Sequence, residues 1–363
     1  MSLHQKIGQN NFDLIRLFAA LQVVLVHAAG HLHVDLPGLT LLGYFPGVPI
    51  FFFISGYLIY QSYANIQQDR LRRFFLNRFL RLFPGLWVCL LVSIAVVYGT
   101  GYFDTVTVSA RQFMIWLAAQ ASVLQFYNPE FLRGFGIGVL NGSLWTISVE
   151  IQFYILTPLV FVLFRTHRAL AGAVFVLMVI INALNTHYNE AGTLAGKLLN
   201  VSFLPWWSMF LLGAWLSTRE DLQQRLLRVP FWAWLLGYLL TQHVAGTLGA
   251  GAGNGISIVA YAVLVGLVVK AAFTRPELSN QLLRRNDFSY GIYIYHMVFV
   301  NLAIELGYLG SLAAYAGTIA ATLVVSALSW FLVEKPALAL KKSTLRRYAR
   351  TGADPQAAPR PDA

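Results

Sequence analysis

FDLIRLFAALQVVLVH, residues 12–27, is an almost continuous apolar run that is interrupted by three ionisable side chains. Asp13 lies three residues before Arg16, and Arg16 lies eleven before His27, so all three share one face of a helix that turns about 100° per residue. The apolar segment 13–31 is close to the roughly 20 residues that a transmembrane helix needs. This stretch predicts a membrane helix with ionisable groups on a single face.

The composition of the whole chain agrees with a membrane protein. Of its 363 residues 57% are hydrophobic and 11% are charged, whereas a soluble globular domain carries about 25% charged residues. This excludes a cytosolic enzyme, a disordered protein and a disulfide-rich secreted module. The single cysteine, Cys89, cannot form an internal disulfide, and the sequence contains no paired-cysteine metal spacing.

We predict an all-α, polytopic integral membrane protein with about ten transmembrane helices. The apolar segments are residues 13–31, 44–63, 82–102, 144–164, 169–185, 201–217, 230–247, 255–273, 288–307 and 312–333. The apolar stretch 111–127 is shorter, and we expect it to be re-entrant or interfacial. We expect one transmembrane domain over residues 1–336, followed by a basic cytoplasmic tail over 337–363 with a disordered end.

The distribution of positive charge orients these helices. If the N-terminus is cytoplasmic and ten helices alternate, 23 Lys and Arg residues lie on the inner side and three on the outer side, as the positive-inside rule requires. Both termini are therefore predicted to be cytoplasmic, and the net charge of +11 needs no nucleic-acid partner. The first apolar run also resembles a signal peptide, but its Arg16, Gln22 and His27 favour an uncleaved helix.

The polar face of the first helix is a candidate catalytic surface, because ionisable groups inside a membrane are unfavourable by about 2.5–3.5 kcal/mol on insertion scales. His27 is a candidate general base, since imidazole titrates near neutral pH; the alternative is a structural hydrogen bond between helices. Arg16 has the alternative of reaching the lipid headgroups. A metal site at His27 and His31 lacks a carboxylate at matching spacing, and no metal is expected.

Residues 49–81 contain a small pair, Ser55 and Gly56, and then five arginines in twelve residues. The small pair permits close helix packing. Arg78 and Arg81 share a helix face. The arginines suit anionic lipid or a polyphosphorylated cytosolic ligand, because guanidinium groups match phosphate geometry.

Two further segments carry polar groups into the membrane. In the first, Glu150 follows Trp145 and Ser148 one turn into a helix, where a carboxylate can orient an imidazole or an acceptor hydroxyl. The alternative for Glu150 is a favourable interaction with the helix dipole. In the second segment, Tyr293 and His296 share a face, either as an aromatic packing stripe or as functional groups.

Together these segments resemble the acyltransferase 3 family of bacterial polytopic O-acyltransferases, from Asp13 to about Lys335. The matching blocks are Arg-x10-His at Arg16 and His27, Phe-Phe-x-Ser-Gly at Phe52–Gly56, Arg-x-x-Arg-x-x-Pro at Arg78–Pro84, Leu-Trp-x-x-Ser-Val-Glu at Leu144–Glu150, Ser-Tyr-x-x-Tyr-x-x-His at Ser289–His296 and Glu-x-Pro at Glu334–Pro336. Within Leu144–Glu150 this chain has Thr and Ile where the family has Ser and Leu.

The resemblance implies a membrane enzyme that transfers an acyl group, most often acetyl, from cytosolic acyl-CoA to a hydroxyl of a surface or exported glycan or a lipid-linked sugar. It implies catalytic candidates at His27, Glu150, Arg16 and Asp13, an acyl-CoA site at Arg78, Arg81, Ser55 and Gly56, and substrate or relay groups at Trp145, Ser148, Tyr293 and His296. We expect membrane lipids as partners, acetyl-CoA as a co-substrate rather than a bound cofactor, and the bacterial inner membrane as location.

Two alternatives stay open beside this interpretation. A transporter or flippase for a glycolipid or small polar substrate would also place polar groups within the membrane, and a non-catalytic scaffold would have no need of them. Some members of the resembling family carry an extracytoplasmic SGNH domain. We expect a stand-alone form, because the chain ends soon after Pro336.

Overall fold

The computed structural model describes residues 10–188, 192–249 and 253–340, and every regular element in these ranges is helical. This confirms the all-α class. The helices are α1 (Phe12–Leu32), α2 (Leu39–Gly43), α3 (Gly47–Ala64), α4 (Arg70–Gly99), α5 (Ala110–Ala121), α6 (Trp145–Thr166), α7 (Arg168–Tyr188), α8 (Leu194–Asn200), α9 (Trp207–Leu216), α10 (Glu220–Arg228), α11 (Phe231–Thr247), α12 (Ile258–Phe273), α13 (Leu278–Leu283), α14 (Ser289–Glu305) and α15 (Leu312–Ser329). The predicted tail lies outside the described residues from residue 341 onward.

Each of the ten predicted spans corresponds to a helix. Six helical stretches are long and apolar enough to cross a membrane, namely Phe12–Leu32, Leu39–Ala64, Arg70–Gly99, Trp145–Thr166, Arg168–Tyr188 and Leu312–Leu340. The other four, α9, α11, α12 and α14, have 10 to 17 residues. The number of ten crossings and the cytoplasmic position of both termini stay predictions.

Three predicted boundaries differ from the structure for local reasons. The span predicted at 201–217 is helical only as α9, because turns that include Pro205 occupy residues 201–206. The stretch 111–127 holds the 12-residue α5 and then a loop. The span predicted at 82–102 starts twelve residues earlier in α4, whose 30 residues make it about 45 Å long, so the arginines extend the same helix.

Side-chain contacts fix the relative direction of the central helices. α1 and α14 meet near their starts at Arg16 and Asp287, and again further along at His27 and His296, so the two helices run parallel. Contacts give the same relation between α4 and α14 and between α3 and α6. If successive spans cross the membrane in alternating directions, the first, third and ninth spans (α1, α4 and α14) should be parallel to one another. The second and fourth spans (α3 and α6) should likewise be parallel.

Helices α3 and α9 approach each other closely at two glycines. A Cβ added to Gly56 would lie 2.0 Å from the carbonyl oxygen of Phe210, and one added to Gly213 would lie 2.1 Å from that of Phe53. Small residues permit such backbone contact between membrane helices. Gly56 therefore permits close packing of α3 against α9, which is the role in helix packing predicted for the small pair Ser55 and Gly56.

Cys89 lies within this core rather than on the lipid surface. Its side chain is 0% exposed, and its Sγ atom is 3.2 Å from the carbonyl oxygen of Ile294 on α14. The thiol thus contributes to the contact between α4 and α14.

Substitution of Gly56 by Ala is expected to destabilise the protein, because the new methyl group meets backbone atoms that cannot move aside. Overpacking of this kind costs about 1–3 kcal/mol or more. Thermal unfolding in detergent would measure the loss. Gly317→Ala in α15 is the matched control, since a Cβ there has nothing within 4 Å; equal melting temperatures for both variants would contradict the expectation.

Candidate active site

The start of α1 is anchored to the ends of α12 and α13, and this anchor positions Arg16. The buried side chain of Asn11 donates hydrogen bonds to the carbonyl oxygens of Ala271, Thr274 and Arg275 at 2.9–3.3 Å. Its Oδ1 atom accepts a bond of 2.9 Å from the backbone N–H of Ser279. Because the first turn of α1 is held in this way, the direction of its polar face is fixed.

Arg16 and Arg81 share one carboxylate at this end of the molecule. Asp287 Oδ2 accepts a hydrogen bond of 2.7 Å from Arg16 Nη1, and it also accepts one from Arg81 Nη2. Oδ1 accepts bonds from the N–H and hydroxyl of Ser289 at 3.1 and 2.5 Å. Asp13 lies at the edge of the cluster, 3.9 Å from Arg16 and half-exposed.

The charge of Asp287 is held by its neighbours. Burial disfavours the carboxylate, but the positive charges of Arg16 and Arg81 and the bonds from Ser289 outweigh this effect, so the pKa of Asp287 lies below its ordinary value. Asp287 is thus ionised at neutral pH. The two arginines and this one carboxylate carry a net positive charge together.

Arg78 is directed away from this cluster, although it lies one turn from Arg81. Its Nη2 atom donates a 3.0 Å bond to the Ser62 hydroxyl, and its guanidinium lies 5.6 Å from the ring centroid of Tyr154. In the described part of the chain, Arg78 has no carboxylate partner and its buried Nε atom has no hydrogen-bond partner. Its charge is therefore available to an anion.

A small cavity of about 40 Å³ extends from Arg16 into the helix bundle. Ser55, Glu150 and Tyr293 also line it, so it brings together four of the residues that the sequence selected. Glu150 Oε1 accepts a 2.6 Å bond from the hydroxyl of Tyr154 and lies 3.5 Å from that of Ser55. The cavity thus has an arginine at one end and a carboxylate in its wall.

His27 and His296 form a hydrogen-bonded pair next to this cavity. His27 Nδ1 is 3.1 Å from His296 Nε2, and His296 Nδ1 is 2.7 Å from the carbonyl oxygen of Tyr293. His296 is 0% exposed, whereas His27 is partly exposed. Tyr293 connects the two features, because its side chain lines the cavity and its backbone carbonyl binds the histidine pair.

Glu150 does not orient His27, contrary to one of the two roles predicted for it. The carboxylate is bound by Tyr154 and Ser55, and the imidazole is bound by His296. α1 contacts α14 along the face that carries His27. The other predicted role for Glu150, toward an acceptor hydroxyl, stays a prediction.

Two predicted relay residues contact groups outside the cavity lining. The Ser148 hydroxyl donates a 2.5 Å bond to Gln125 Oε1, and the ring of Trp145 lies 5.3 Å from that of Trp206. Neither side chain belongs to the lining described above. Their helical spacing puts them on the face of α6 that Glu150 does not use.

Two residues at the site, Asp287 and Thr146, were not among the functional residues predicted from the sequence. Asp287 binds both arginines, and the Thr146 hydroxyl lies 2.9 Å from that of Tyr293. A signal for Asp287 is present, because it is an isolated acid directly before the apolar helix that carries Tyr293. Thr146 lies where the resembling family has serine, a substitution that keeps the hydroxyl group.

The fold and this site together define a multi-pass membrane protein with acid–base groups around an internal cavity. A family profile described as an acyltransferase domain, that of acyltransferase 3, matches residues 9–331. The chain belongs to the acyltransferase 3 family, and the resemblance drawn from its sequence blocks is thereby confirmed. It is an acyltransferase.

Relatives match over most of the chain. "Nodulation protein 10" of Rhizobium leguminosarum bv. viciae is 35% identical, with 95% of this chain and 97% of that protein covered. The "O-acetyl transferase" of Shigella phage Sf6 is 27% identical, with 90% and 95% covered. The "Putative peptidoglycan O-acetyltransferase YrhL" of Bacillus subtilis is 25% identical, with 93% of this chain and 56% of that protein covered. No solved structure matches the chain significantly.

Replacement of Asp287 by Asn is expected to destabilise the protein strongly, because it leaves two guanidinium groups without their shared counterion. Removal of one partner from a buried ion pair costs about 3–5 kcal/mol. Unfolding of the purified protein in detergent would measure this. The matched control is Asp221→Asn, which breaks the exposed pair with Arg219 and is expected to have no measurable effect.

The pH dependence gives a second check on the same pair. Because the pKa of Asp287 is lowered in the folded protein, its contribution to stability is complete above the ordinary carboxyl pKa of about 3.9. That contribution is lost as the pH falls further, toward the pKa of the folded state. The stability difference between wild type and Asp287→Asn should stay constant from pH 8 to about pH 5. A difference that disappears within this range would contradict the ion pair.

Proposed function

We propose that the protein is an O-acetyltransferase of the bacterial inner membrane that moves an acetyl group from cytosolic acetyl-CoA to a hydroxyl of a surface or exported glycan or a lipid-linked sugar. One observation carries the proposal: a cavity is lined by Arg16 and by Tyr293, whose backbone carbonyl binds a histidine pair. The names of the relatives from Shigella phage Sf6 and Bacillus subtilis support transfer of acetyl to oxygen.

The donor site is proposed at Arg16, which lines the cavity, together with Arg81 and Arg78, which lie outside its lining. CoA carries several phosphate charges and cannot cross a membrane, so these charges must be held at the cytoplasmic side. Arg78 has no carboxylate partner in the described residues, and Arg16 and Arg81 share Asp287, with the half-exposed Asp13 3.9 Å from Arg16. Guanidinium groups bind phosphate oxygens in pairs of parallel hydrogen bonds.

In this proposal the small cavity widens as the neutral pantetheine arm carries the acetyl group into the bundle. Ser55 and Glu150 in the cavity wall offer hydrogen-bonding groups along this path. The path leads toward Tyr293, and the histidine pair follows it directly. The thioester would thus arrive beside the imidazole of His27 while the nucleotide end stays with the arginines.

In the proposed reaction His27 is a general base. It takes the proton of the acceptor hydroxyl as the oxygen attacks the thioester carbonyl carbon. The carbon–sulfur bond then breaks, the acetyl group stays on the oxygen, and the CoA thiolate receives the proton back from His27. Direct transfer of this kind needs no covalent enzyme intermediate.

Substitution of His27 by Ala is expected to lower kcat about 10²–10⁴-fold, the usual contribution of a general base. The assay follows free CoA thiol and labelled acetyl on glycan, with acetyl-CoA supplied to membrane vesicles that hold the native acceptor. His243→Ala, at an exposed position of α11, is the matched control.

The same assay separates the enzyme from the transporter alternative. A flippase would move the glycolipid without releasing any CoA thiol. Activity of His27→Ala equal to that of wild type would remove His27 from the mechanism, and thiol release that is independent of acceptor would contradict transfer.

Substitution of Arg78 by Gln is expected to raise the KM for acetyl-CoA about tenfold or more, because a hydrogen bond to a charged group contributes about 1.5–3 kcal/mol. Acetyl-pantetheine, which lacks the nucleotide phosphates, should show no change in KM. The control is Arg225→Gln on the exposed side of α10. An equal loss with both donors would place Arg78 outside the phosphate site.

A further inference from the structure

We infer that His296 is a positioning residue that sets the tautomer of His27, so that Nδ1 of His27 carries the proton and Nε2 is free to act as the base. The inference rests on the proposed function, in which His27 is the general base. Three groups are connected by hydrogen bonds: the backbone carbonyl of Tyr293, the imidazole of His296 and the imidazole of His27. The position of the hydrogen on each ring follows from its partner.

The backbone carbonyl of Tyr293 determines which nitrogen of His296 carries a hydrogen. A carbonyl oxygen can only accept hydrogen bonds, and His296 Nδ1 lies 2.7 Å from it. Nδ1 of His296 must therefore carry a hydrogen. A neutral imidazole has one N–H group, so Nε2 of His296 has a lone pair and accepts.

The accepting Nε2 atom of His296 in turn determines which nitrogen of His27, on α1, carries a hydrogen. His296 Nε2 lies 3.1 Å from Nδ1 of His27, and an accepting nitrogen needs a donor opposite it. Nδ1 of His27 must therefore carry the hydrogen of that ring, which leaves the lone pair on Nε2. In water a free neutral histidine favours the opposite form, with hydrogen on Nε2, so the protein would select the less common tautomer.

The same hydrogen bond also stabilises the protonated, charged form of His27. When His27 accepts a proton at Nε2, its Nδ1–H bond to His296 persists and becomes charge-assisted, which strengthens it. His296 is 0% exposed, so water does not compete for its nitrogen. A base whose second nitrogen is held by a third group is the arrangement that activates nucleophiles in other enzymes.

The register of the two helices makes this pair possible. Arg16 is bound to Asp287 at the start of α14, and the parallel direction of α1 and α14 brings His27 opposite His296. The Ser143 hydroxyl, just before α6, is 2.7 Å from Asn141 Oδ1 and 3.3 Å from the same carbonyl oxygen of Tyr293.

The tautomer can be measured directly on the wild-type protein. In a ¹⁵N-histidine sample in lipid at neutral pH, His27→Ala and His296→Ala spectra assign the two rings. The expected result is a protonated Nδ1 and an unprotonated Nε2 on both rings. A His27 ring with its proton on Nε2 would overturn the inference, and this measurement needs no turnover.

A pair of substitutions tests whether the accepting nitrogen matters for catalysis. His296→Gln keeps an oxygen acceptor near the position of Nε2, whereas His296→Leu has similar volume and no acceptor. Loss of a group that orients a catalytic side chain costs roughly 10- to 100-fold in metal sites and about 10⁴-fold in a serine protease triad. We expect His296→Leu to lower kcat about a hundredfold or more with unchanged KM for acetyl-CoA, and His296→Gln to recover at least a tenth of wild-type kcat.

The outcomes separate this inference from the proposed function. If His27→Ala is inactive while His296→Leu keeps wild-type kcat, the positioning role is wrong and the general base stands. If His27→Ala keeps full activity, the proposed general-base role of His27 fails whatever the tautomer. Equal inactivity of folded His296→Leu and His296→Gln would also overturn the inference. If His296→Leu does not fold, the spectrum of the wild-type protein decides.

Discussion

The site depends on two polar contacts between the apolar helices α1 and α14, one near the start of both helices and one further along. Lipid offers no hydrogen bonds, so a polar group inside the bundle must find its partner on another helix or on backbone. Arg16 finds Asp287, and His27 finds His296, on the same two helices α1 and α14. The first contact fixes the register of the helices, and the second uses it. The cavity is lined by residues of α1, α3, α6 and α14, and its polar side chains include Arg16, Ser55 and Glu150.

The parts of the fold that the sequence predicted are those that depend on local pattern. Runs of apolar residues identified the ten predicted spans, each of which corresponds to a helix, and helical periodicity placed Arg16 and His27 on one face. The partners of these residues could not be read in this way, because they are 271 and 269 positions away in the chain. Such contacts depend on how helices pack, which a single sequence does not state.

Glu150 illustrates the same limit of local pattern. The sequence analysis predicted that Glu150 orients an imidazole or an acceptor hydroxyl, but the carboxylate is bound by Tyr154 of the same helix and lies 3.5 Å from Ser55 of α3. The imidazole is bound by a second histidine instead. Four of the predicted residues nevertheless line one cavity, because buried polar groups of several helices collect wherever lipid is excluded.

The buried thiol of Cys89 makes the molecule convenient to map. It is the only cysteine in the chain, and its burial against Ile294 shields it from reagents in water. A cysteine engineered into any loop would then be the sole site open to a membrane-impermeant maleimide. Labelling of intact cells against inverted vesicles could thus assign every loop to its compartment, one at a time, in an otherwise native background.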